Sequence, residues 1–342
     1  MAEVIKIVLT GGAYAGKTTA LHFLKSELER MNIKTYVLEN VVEKLISSGV
    51  NPEKLGDYEF YKQVFKVQLK EESLLVKKAA SNNDEKAVIL LDGGLLDCKA
   101  YVACEDFEKY IDENNKNEDI LRYSYDAVFY LRSSAGDKNT DEELLSIWTG
   151  TPHLRVIPCC DSIDIKLSLL LSEVKGFLGE PEPLEIERKF LIEYPDIDYL
   201  NKLKACRRVP MTQAYLNTPE EGMFRIRKRG SGNNAVYIKT VKIKINDLKR
   251  IEKETYLTES EYNNYLLRKE YITGIISKDR YCIVDDDSYY ELDVYPFWKD
   301  RATLEIELLT ENQPYKLPTF VKLIREVSHE YDYRNVSLAQ KM

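Results

Sequence analysis

No stretch of the 342-residue chain reaches transmembrane length without charges, so no membrane-spanning helix is expected. The six cysteines contain no C-x-x-C pair, which argues against zinc and against a disulfide framework. The adjacent Cys159 and Cys160 read as ordinary reduced residues. Residues Met1-Ala2-Glu3-Val4-Ile5-Lys6 lack the basic segment and long apolar core of a secretion signal, and a cytoplasmic location is expected. Positive charge is not in excess: 49 Lys and Arg against 57 Asp and Glu leave a formal charge of -8. That balance disfavours an extended nucleic-acid surface but leaves room for a local basic pocket. No internal repeat or long low-complexity segment occurs. What is present is length and a 44% apolar content, enough for two cores.

The first half carries a phosphate-loop signature. Val4 to Leu9 reads as a buried strand and runs into Gly11-Gly12-Ala13-Tyr14-Ala15-Gly16-Lys17-Thr18-Thr19, a full Walker A motif. Glycines allow backbone N–H groups to turn toward phosphate oxygens, Lys17 reaches the terminal phosphates, and Thr18 holds magnesium at the start of a helix. The apolar spacing of Leu21, Leu24 and Leu28 supports that helix. ATP or GTP with Mg2+ is the expected ligand. Lys34 to Leu38 makes a second strand, a helical region runs from about Tyr58 to Ala80, and Ala87 to Asp92 ends in an acid at a Walker B position. Asp92 either holds magnesium through water or caps the following turn. Asp126 to Leu131 and Leu154 to Pro158 bring the count to about five. Strand and helix alternate, which implies an α/β domain with a mainly parallel sheet covered on both faces. Glu39 and Asp97 fall near carboxyl ends of strands, where such sheets bind ligands. Tyr14 is bulky for a phosphate loop; it either covers the nucleotide or packs outward.

The helical stretch Ile163 to Leu178 meets Gly179-Glu180-Pro181-Glu182-Pro183, a short, stiff linker. Domains are therefore expected over 1–179 and 183–342.

The second half opens with Glu185-Ile186-Glu187-Arg188-Lys189. Strand side chains alternate faces, so both carboxylates and the lysine project from one side and Ile186 from the other. The charged set would then face a cavity. Arg225 and Arg227 bracket Ile226, Arg250, Glu252 and Glu254 alternate, Lys278 and Arg280 follow, then Glu291 and Asp293, then Glu305 and Glu307 around Ile306. A closed antiparallel barrel accommodates such strands if its lumen holds water, metal and a charged ligand. Carboxylate pairs suit Mg2+ or Mn2+, and arginines and lysines suit phosphate oxygens. The alternative is a set of solvated faces with cross-strand ion pairs.

These residues, in order with Tyr215 and Lys239, resemble the CYTH superfamily of triphosphate tunnel metalloenzymes over about 183 to 342. The resemblance implies an α+β domain with an eight-stranded antiparallel tunnel and a triphosphate-bearing small molecule as ligand. By resemblance, Glu185, Glu187, Asp293, Glu305 and Glu307 coordinate one or two divalent ions. Lys189, Tyr215, Arg225, Arg227, Lys239, Lys278 and Arg280 bind the substrate, and Glu252 and Glu254 accept from the attacking water. Hydrolysis of inorganic triphosphate or of a nucleoside or organic triphosphate is the leading expectation. A class IV type adenylate cyclase and a nucleotide-responsive binding protein without turnover stand beside it. The first half is similar to kinase-like P-loop ATPases known as AAA-domain proteins, through Thr10-Gly11-Gly12, Asp92-Gly93-Gly94-Leu95-Leu96-Asp97 and Trp148-Thr149-Gly150-Thr151-Pro152-His153-Leu154. It departs from related kinases in having Gly93 after the Walker B acid, where arginine is common, and in lacking an arginine-rich lid between Arg132 and Arg155. Kinase, ATPase and regulator all remain open for this half.

Overall fold

The computed structural model describes residues 3–81, 86–133, 135–179, 184–232, 235–244, 249–308 and 313–340, with backbone alone at 184, 185, 242–244 and 249–253. The chain forms two compact units, Met1–Leu171 and Ser172–Met342. A helix spans Ile163–Leu178 and stops at Gly179, whose φ of 73° is a left-handed conformation that glycine adopts without strain. Residues 180–183 of the expected linker lie outside the described residues.

In the first unit, β1 (Glu3–Thr10), β2 (Lys34–Leu38), β3 (Lys86–Asp92), β4 (Ala127–Leu131) and β5 (Leu154–Ile157) form one parallel sheet. Its order is β2-β3-β1-β4-β5. Ile7, Val8, Val88, Ile89, Leu90, Val128 and Phe129 are wholly buried, the near-continuous apolar run of strands covered on both faces. Helices Lys17–Arg30, Asp57–Ala80 and Lys138–Trp148 bury Leu21, Leu24 and Leu28, Phe60 and Val64, and Leu144 and Trp148 respectively. The chain leaves β1 toward β2 but passes from β3 to β4 on the other side of β1. The crevice at the carboxyl ends of β1 and β3 is therefore where a ligand fits.

The second unit is an antiparallel sheet of β6 (Leu184–Glu193), β7 (Cys206–Thr218), β8 (Gly222–Arg229), β9 (Val236–Lys244), β10 (Lys249–Leu257), β11 (Ile272–Asp285), β12 (Ser288–Val294), β13 (Arg301–Glu307) and β14 (Leu323–Glu326). The order is β10-β9-β8-β7-β11-β12-β13-β6-β14. A further pairing of Lys249, Arg250 and Ile251 with Ile186, Glu185 and Leu184 joins β10 to β6. Eight strands thereby close into a ring, and β14 is a ninth strand on the later part of β6, one more than expected.

Two large apolar clusters of these strands lie on the outer face, while Val209, Met211, Ile276 and Cys282 share the inner face with Lys278 and Arg280. Ile186, Phe190, Ile192, Tyr281, Ile283, Leu292, Leu304 and Ile306 form one outer cluster, onto which Tyr315, Leu317, Phe320 and Val321 pack. Ala214, Leu216, Phe224, Ile226 and Tyr237 form another, covered by Tyr262 of helix Glu259–Leu267. Each such side chain contributes roughly 1.5–3 kcal/mol when fully buried. With Ile186, Ile226, Leu292, Leu304 and Ile306 on the outside, period-two alternation turns the charged residues of β6, β8, β12 and β13 inward.

Candidate active sites

The inner face of the barrel holds Glu187 and Lys189 of β6, Arg225 and Arg227 of β8, Lys278 and Arg280 of β11, Asp293 of β12, and Glu305 and Glu307 of β13. Cross-strand register brings them together: Glu307 opposes Glu187, Glu305 opposes Lys189, and Asp293 opposes Arg280. Two ion-pair systems result. In the larger, Arg280 donates through Nε to Asp293 Oδ1 at 2.7 Å and through Nη2 to Asp293 Oδ2 at 2.7 Å and Glu305 Oε2 at 2.9 Å. Arg280 also contacts Glu291, Lys278 contacts Asp293, and Lys189 Nζ lies 2.8 Å from Glu305 Oε1. In the smaller, Arg225 Nη2 donates to Thr240 Oγ1 at 3.1 Å and lies 3.6 Å from Glu254 Oε1, which accepts from Thr240 Oγ1 at 2.9 Å.

Burial and pairing compete at each of these groups. Burial alone would raise Glu305, but Lys189 and Arg280 hold its carboxyl well below the usual range. Asp293 is lowered in the same way against its burial, by Arg280 and Lys278. Burial and then the neighbouring Arg280 push Lys278 down to about 7, against the pull of Asp293 and Glu305. Burial would lower Lys189 too, but Glu305 raises it.

Several expectations need correction. Lys239 is not in the lumen. It opposes Ile226 in register, on the outer face, where its Nζ donates to Tyr265 Oη at 3.1 Å, pairs with Glu221 and sits 4.4 Å from the centre of the Phe224 ring. The inward position beside it is Thr240. Asp293 is fully buried with both of its oxygens held by cations, and Glu305 is held likewise by Lys189 and Arg280. Arg280 and Lys278 face the lumen as expected, but their charges are engaged by carboxylates. Tyr215 packs with Ile276, Tyr295 and Leu338 and donates to Gln213 Oε1 at 3.3 Å. The side chains of Glu185 and Glu252 lie outside the described residues, as does that of Arg250. Arg229 was missed; it is 2% exposed and opposes Met211 in register, and its spacing of two from Arg227 was the available signal.

Among the described residues no group of three or more His, Cys, Asp or Glu is arranged around a metal position. The donor chemistry nevertheless suits a hard cation. Glu187 and Glu307 stand directly opposite on paired strands, both partly exposed, so two carboxylates project from neighbouring positions of one face, the oxygen-donor chemistry a hard divalent cation takes.

In the first unit the loop from Gly11 to Gly16 joins β1 to helix Lys17–Arg30. Gly11 at φ 139° and Gly16 at φ 84° adopt backbone that favours glycine, and no side chain caps the helix, leaving its first N–H groups for an anion. A Cβ at Gly11 would lie 2.2 Å from Leu131 O. Lys17 Nζ donates to Gly11 O at 2.8 Å and Gly12 O at 2.9 Å. Thr18 Oγ1 donates to Asp92 Oδ2 at 2.8 Å, while the buried Asp92 Oδ1 has no partner. Burial raises the Asp92 carboxyl, partly offset by Thr18 and Lys17. An orphaned carboxylate oxygen beside a threonine hydroxyl fits Mg2+. Tyr14 is 85% exposed at φ 61°, so it packs against nothing in its unit. Ala13 O accepts from Ser133 Oγ at 2.7 Å, Ala15 O from Lys166 Nζ at 2.8 Å, and Gly12 N–H donates to Asp141 Oδ1 at 3.1 Å. Thr19, the second helical threonine, is exposed, as is Glu39. None of Asp141, Ser133 or Lys166 was legible as a loop contact, since each is more than a hundred residues away in the chain.

A family model for an AAA domain matches residues 6–144, and one for a CYTH domain matches residues 183–342. The chain is a fusion of an AAA domain and a CYTH domain. No curated protein matches it. Solved structures similar to parts of it include an inorganic triphosphatase, at 27% identity over 46% of this chain and 95% of that one, TM-score 0.30. A Hippeastrum protein described as an adenylyl cyclase with a dominant triphosphatase activity is 15% identical over 36% of this chain and 80% of its own, TM-score 0.25. The APS kinase of Mycobacterium tuberculosis is 12% identical over 51% of this chain and 99% of its own, TM-score 0.28.

Proposed function

We propose that the CYTH domain is a metal-dependent triphosphatase acting on inorganic triphosphate or on a nucleoside or organic triphosphate, and that the AAA domain binds ATP or GTP with Mg2+. The observation carrying the first part is the closed ring of eight strands with both signs of charge on its inner face. A polyanion leaves water only for a dense array of fixed donors. Lys189, Arg225 and Arg227 are the cations that would take its oxygens, with Lys278 and Arg280 setting the field behind them.

The internal pairing also argues for a metal. Arg225 is beside Glu254, and Lys189 is bound to Glu305. A triphosphate that drew these cations away would leave the carboxylates uncompensated, so a divalent ion on Glu187 and Glu307, with Glu185 and Glu305 as further ligands, balances the exchange. When bound, it supplies Lewis-acid stabilisation of phosphoryl charge. Glu254, a part-exposed acid beside Arg225, then accepts a proton from water, with Glu252 two residues before it in the strand. Thr240 fixes the Glu254 carboxylate by its hydroxyl.

The deciding experiment measures phosphate, pyrophosphate and cyclic nucleotide from tripolyphosphate, nucleoside triphosphates and thiamine triphosphate, with Mg2+ or Mn2+. Phosphate release that requires the metal is expected. Cyclic nucleotide with pyrophosphate would make the domain a cyclase, and tight metal-dependent binding with no product would make it a receptor.

A further inference from the structure

A buried lysine grips the phosphate loop of the AAA domain. Lys166 is 8% exposed, and its Nζ donates to Ala15 O at 2.8 Å and to Arg132 O at 2.6 Å. We propose that Lys166 is a positioning residue for the nucleotide: by holding the Ala15 carbonyl it aims the Gly16 N–H at the phosphates, and the nucleotide supplies the negative charge that the lysine lacks in the ligand-free chain. The inference rests on the reading that the loop binds ATP or GTP.

The helix that carries Lys166 explains how a lysine comes to be buried there. In Ile163–Leu178 it heads a row with Leu170 and Val174, spaced by four and both wholly buried, so it leaves from the packed face of the helix. Helical side chains lean toward the N-terminus, which carries the ammonium back toward the loop. The first turn of the helix lies on the loop as well: a Cβ at Gly16 would be 3.4 Å from Ile163 Cδ1.

Peptide planarity converts the contact into an orientation. The Ala15 carbonyl and the Gly16 N–H belong to one trans peptide and point in opposite directions, so fixing the one fixes the other. Ser133 does the same two residues earlier. Its Oγ donates to Ala13 O at 2.7 Å, which sets the N–H of Tyr14. Tyr14 at φ 61° and Gly16 at φ 84° are both left-handed, the backbone pattern that turns successive N–H groups into an anion-binding concavity. With both carbonyls held, neither peptide flips without breaking a bond.

The charge of Lys166 has no acid of its own. Both of its partners are neutral carbonyls, and among the described residues no carboxylate lies within ion-pair distance of it. Asp141, the nearby acid, lies 3.5 Å from Arg132 Nη1. Burial pushes the Lys166 ammonium below its ordinary range; the thiols of Cys159 and Cys160 and the carboxylate of Asp141 oppose this at longer range, and Lys17 adds to it. A buried cation without an anion is a cost that the ligand-free chain bears. Phosphates seated in the loop cancel it, so the lysine favours the occupied state through charge as well as through geometry.

The test measures Mg2+-ATP and Mg2+-ADP affinities of the full chain by calorimetry, with Lys17→Ala titrated alongside to subtract binding in the barrel. Lys166→Met should lower both affinities at least about tenfold, the usual effect of a hydrogen bond to a charged group. The Tm of the ligand-free variant should stay within about 4 °C of the parent, because removal of an uncompensated buried charge offsets the two lost bonds. Lys166→Arg keeps the charge and should bind ATP at least about fivefold more tightly than Lys166→Met. Ser133→Ala, at a part-exposed position, tests the peptide argument without touching a buried charge and should weaken both ligands about threefold. Parental affinity in Lys166→Met or in Ser133→Ala, a loss of affinity accompanied by a Tm fall beyond about 4 °C, or Lys166→Arg no better than Lys166→Met would each overturn the inference. A parent chain that binds ATP no better than Lys17→Ala refutes the nucleotide reading itself, whereas parent binding that Lys166→Met retains refutes only the role of Lys166.

Discussion

Asp293→Asn is the sharpest probe of the barrel's charge design. Asp293 is the shared counter-charge of Arg280, through two bonds of 2.7 Å, and of Lys278. Its removal leaves Glu305 and Glu291 to balance Arg280, Lys278 and Lys189. Removing one partner of a buried pair costs about 3–5 kcal/mol, because the charge left behind has no solvent. Lys278, already pushed down to about 7, sheds its proton easily, so the cost is largest near pH 6 and smaller near pH 8.5. For a unit of this size, about 4 kcal/mol lowers Tm by roughly 10 °C. Urea denaturation followed by Trp298 fluorescence in a Trp148→Phe background reports the barrel, since the chain has two tryptophans, one in each unit. Combining Asp293→Asn with Arg280→Gln should cost less than the sum of the singles by at least about 1.5 kcal/mol. A loss under about 1 kcal/mol at both pH values, or strict additivity with Arg280→Gln, would refute the reasoning.

Three further outcomes follow from the same geometry. Lys239→Ala, on the outer face, should leave the KM for tripolyphosphate within about twofold and cost at most about 1 kcal/mol of stability; a tenfold rise in KM would return Lys239 to the lumen. Because the folded Lys278 is pushed down to about 7, the unfolded chain binds more protons from there to the ordinary lysine range, and the lysine's contribution to stability improves as pH rises through that window. Triphosphate binding at pH 8 should therefore draw in about one proton, seen by calorimetry in buffers of different ionisation enthalpy and absent in Lys278→Met; equal enthalpies for the parent chain would contradict it. Asp92→Asn should weaken Mg2+-ATP binding at least about tenfold through the lost metal partner, and unchanged affinity would assign Asp92 to the turn alone.

Much of this was legible because the signals are local. The phosphate loop is contiguous, and alternation along β6, β8 and β13 places Glu187 and Lys189, Arg225 and Arg227, and Glu305 and Glu307 on the face opposite Ile186, Ile226 and Ile306 without knowledge of their neighbours. Lys239 failed because β9 carries lysines at both parities, at 239 and at 242 and 244, so period two cannot choose between them. The register with Ile226 chooses. The surroundings of Asp293 were illegible for a different reason. Glu291-Leu292-Asp293 has the same pattern as Glu305-Ile306-Glu307, and only the cross-strand arrival of Arg280, Lys278 and Lys189 shows that Asp293 and Glu305 are buried counter-ions while Glu307 stays partly exposed. Asp97 was visible as an acid near a strand end, but the Trp148 and Thr10 contacts that hold it come from distant segments.

Division of labour between the two domains is tested most directly by phosphate release from tripolyphosphate with Mg2+ or Mn2+, comparing the parent chain with Lys17→Ala and with Arg225→Ala/Arg227→Ala. Lys17→Ala should cleave at the parental rate, and the double lumen variant should lose at least about 100-fold in kcat/KM. Cleavage that survives in the lumen variant and disappears with Lys17 would place the triphosphatase in the AAA domain and contradict the account.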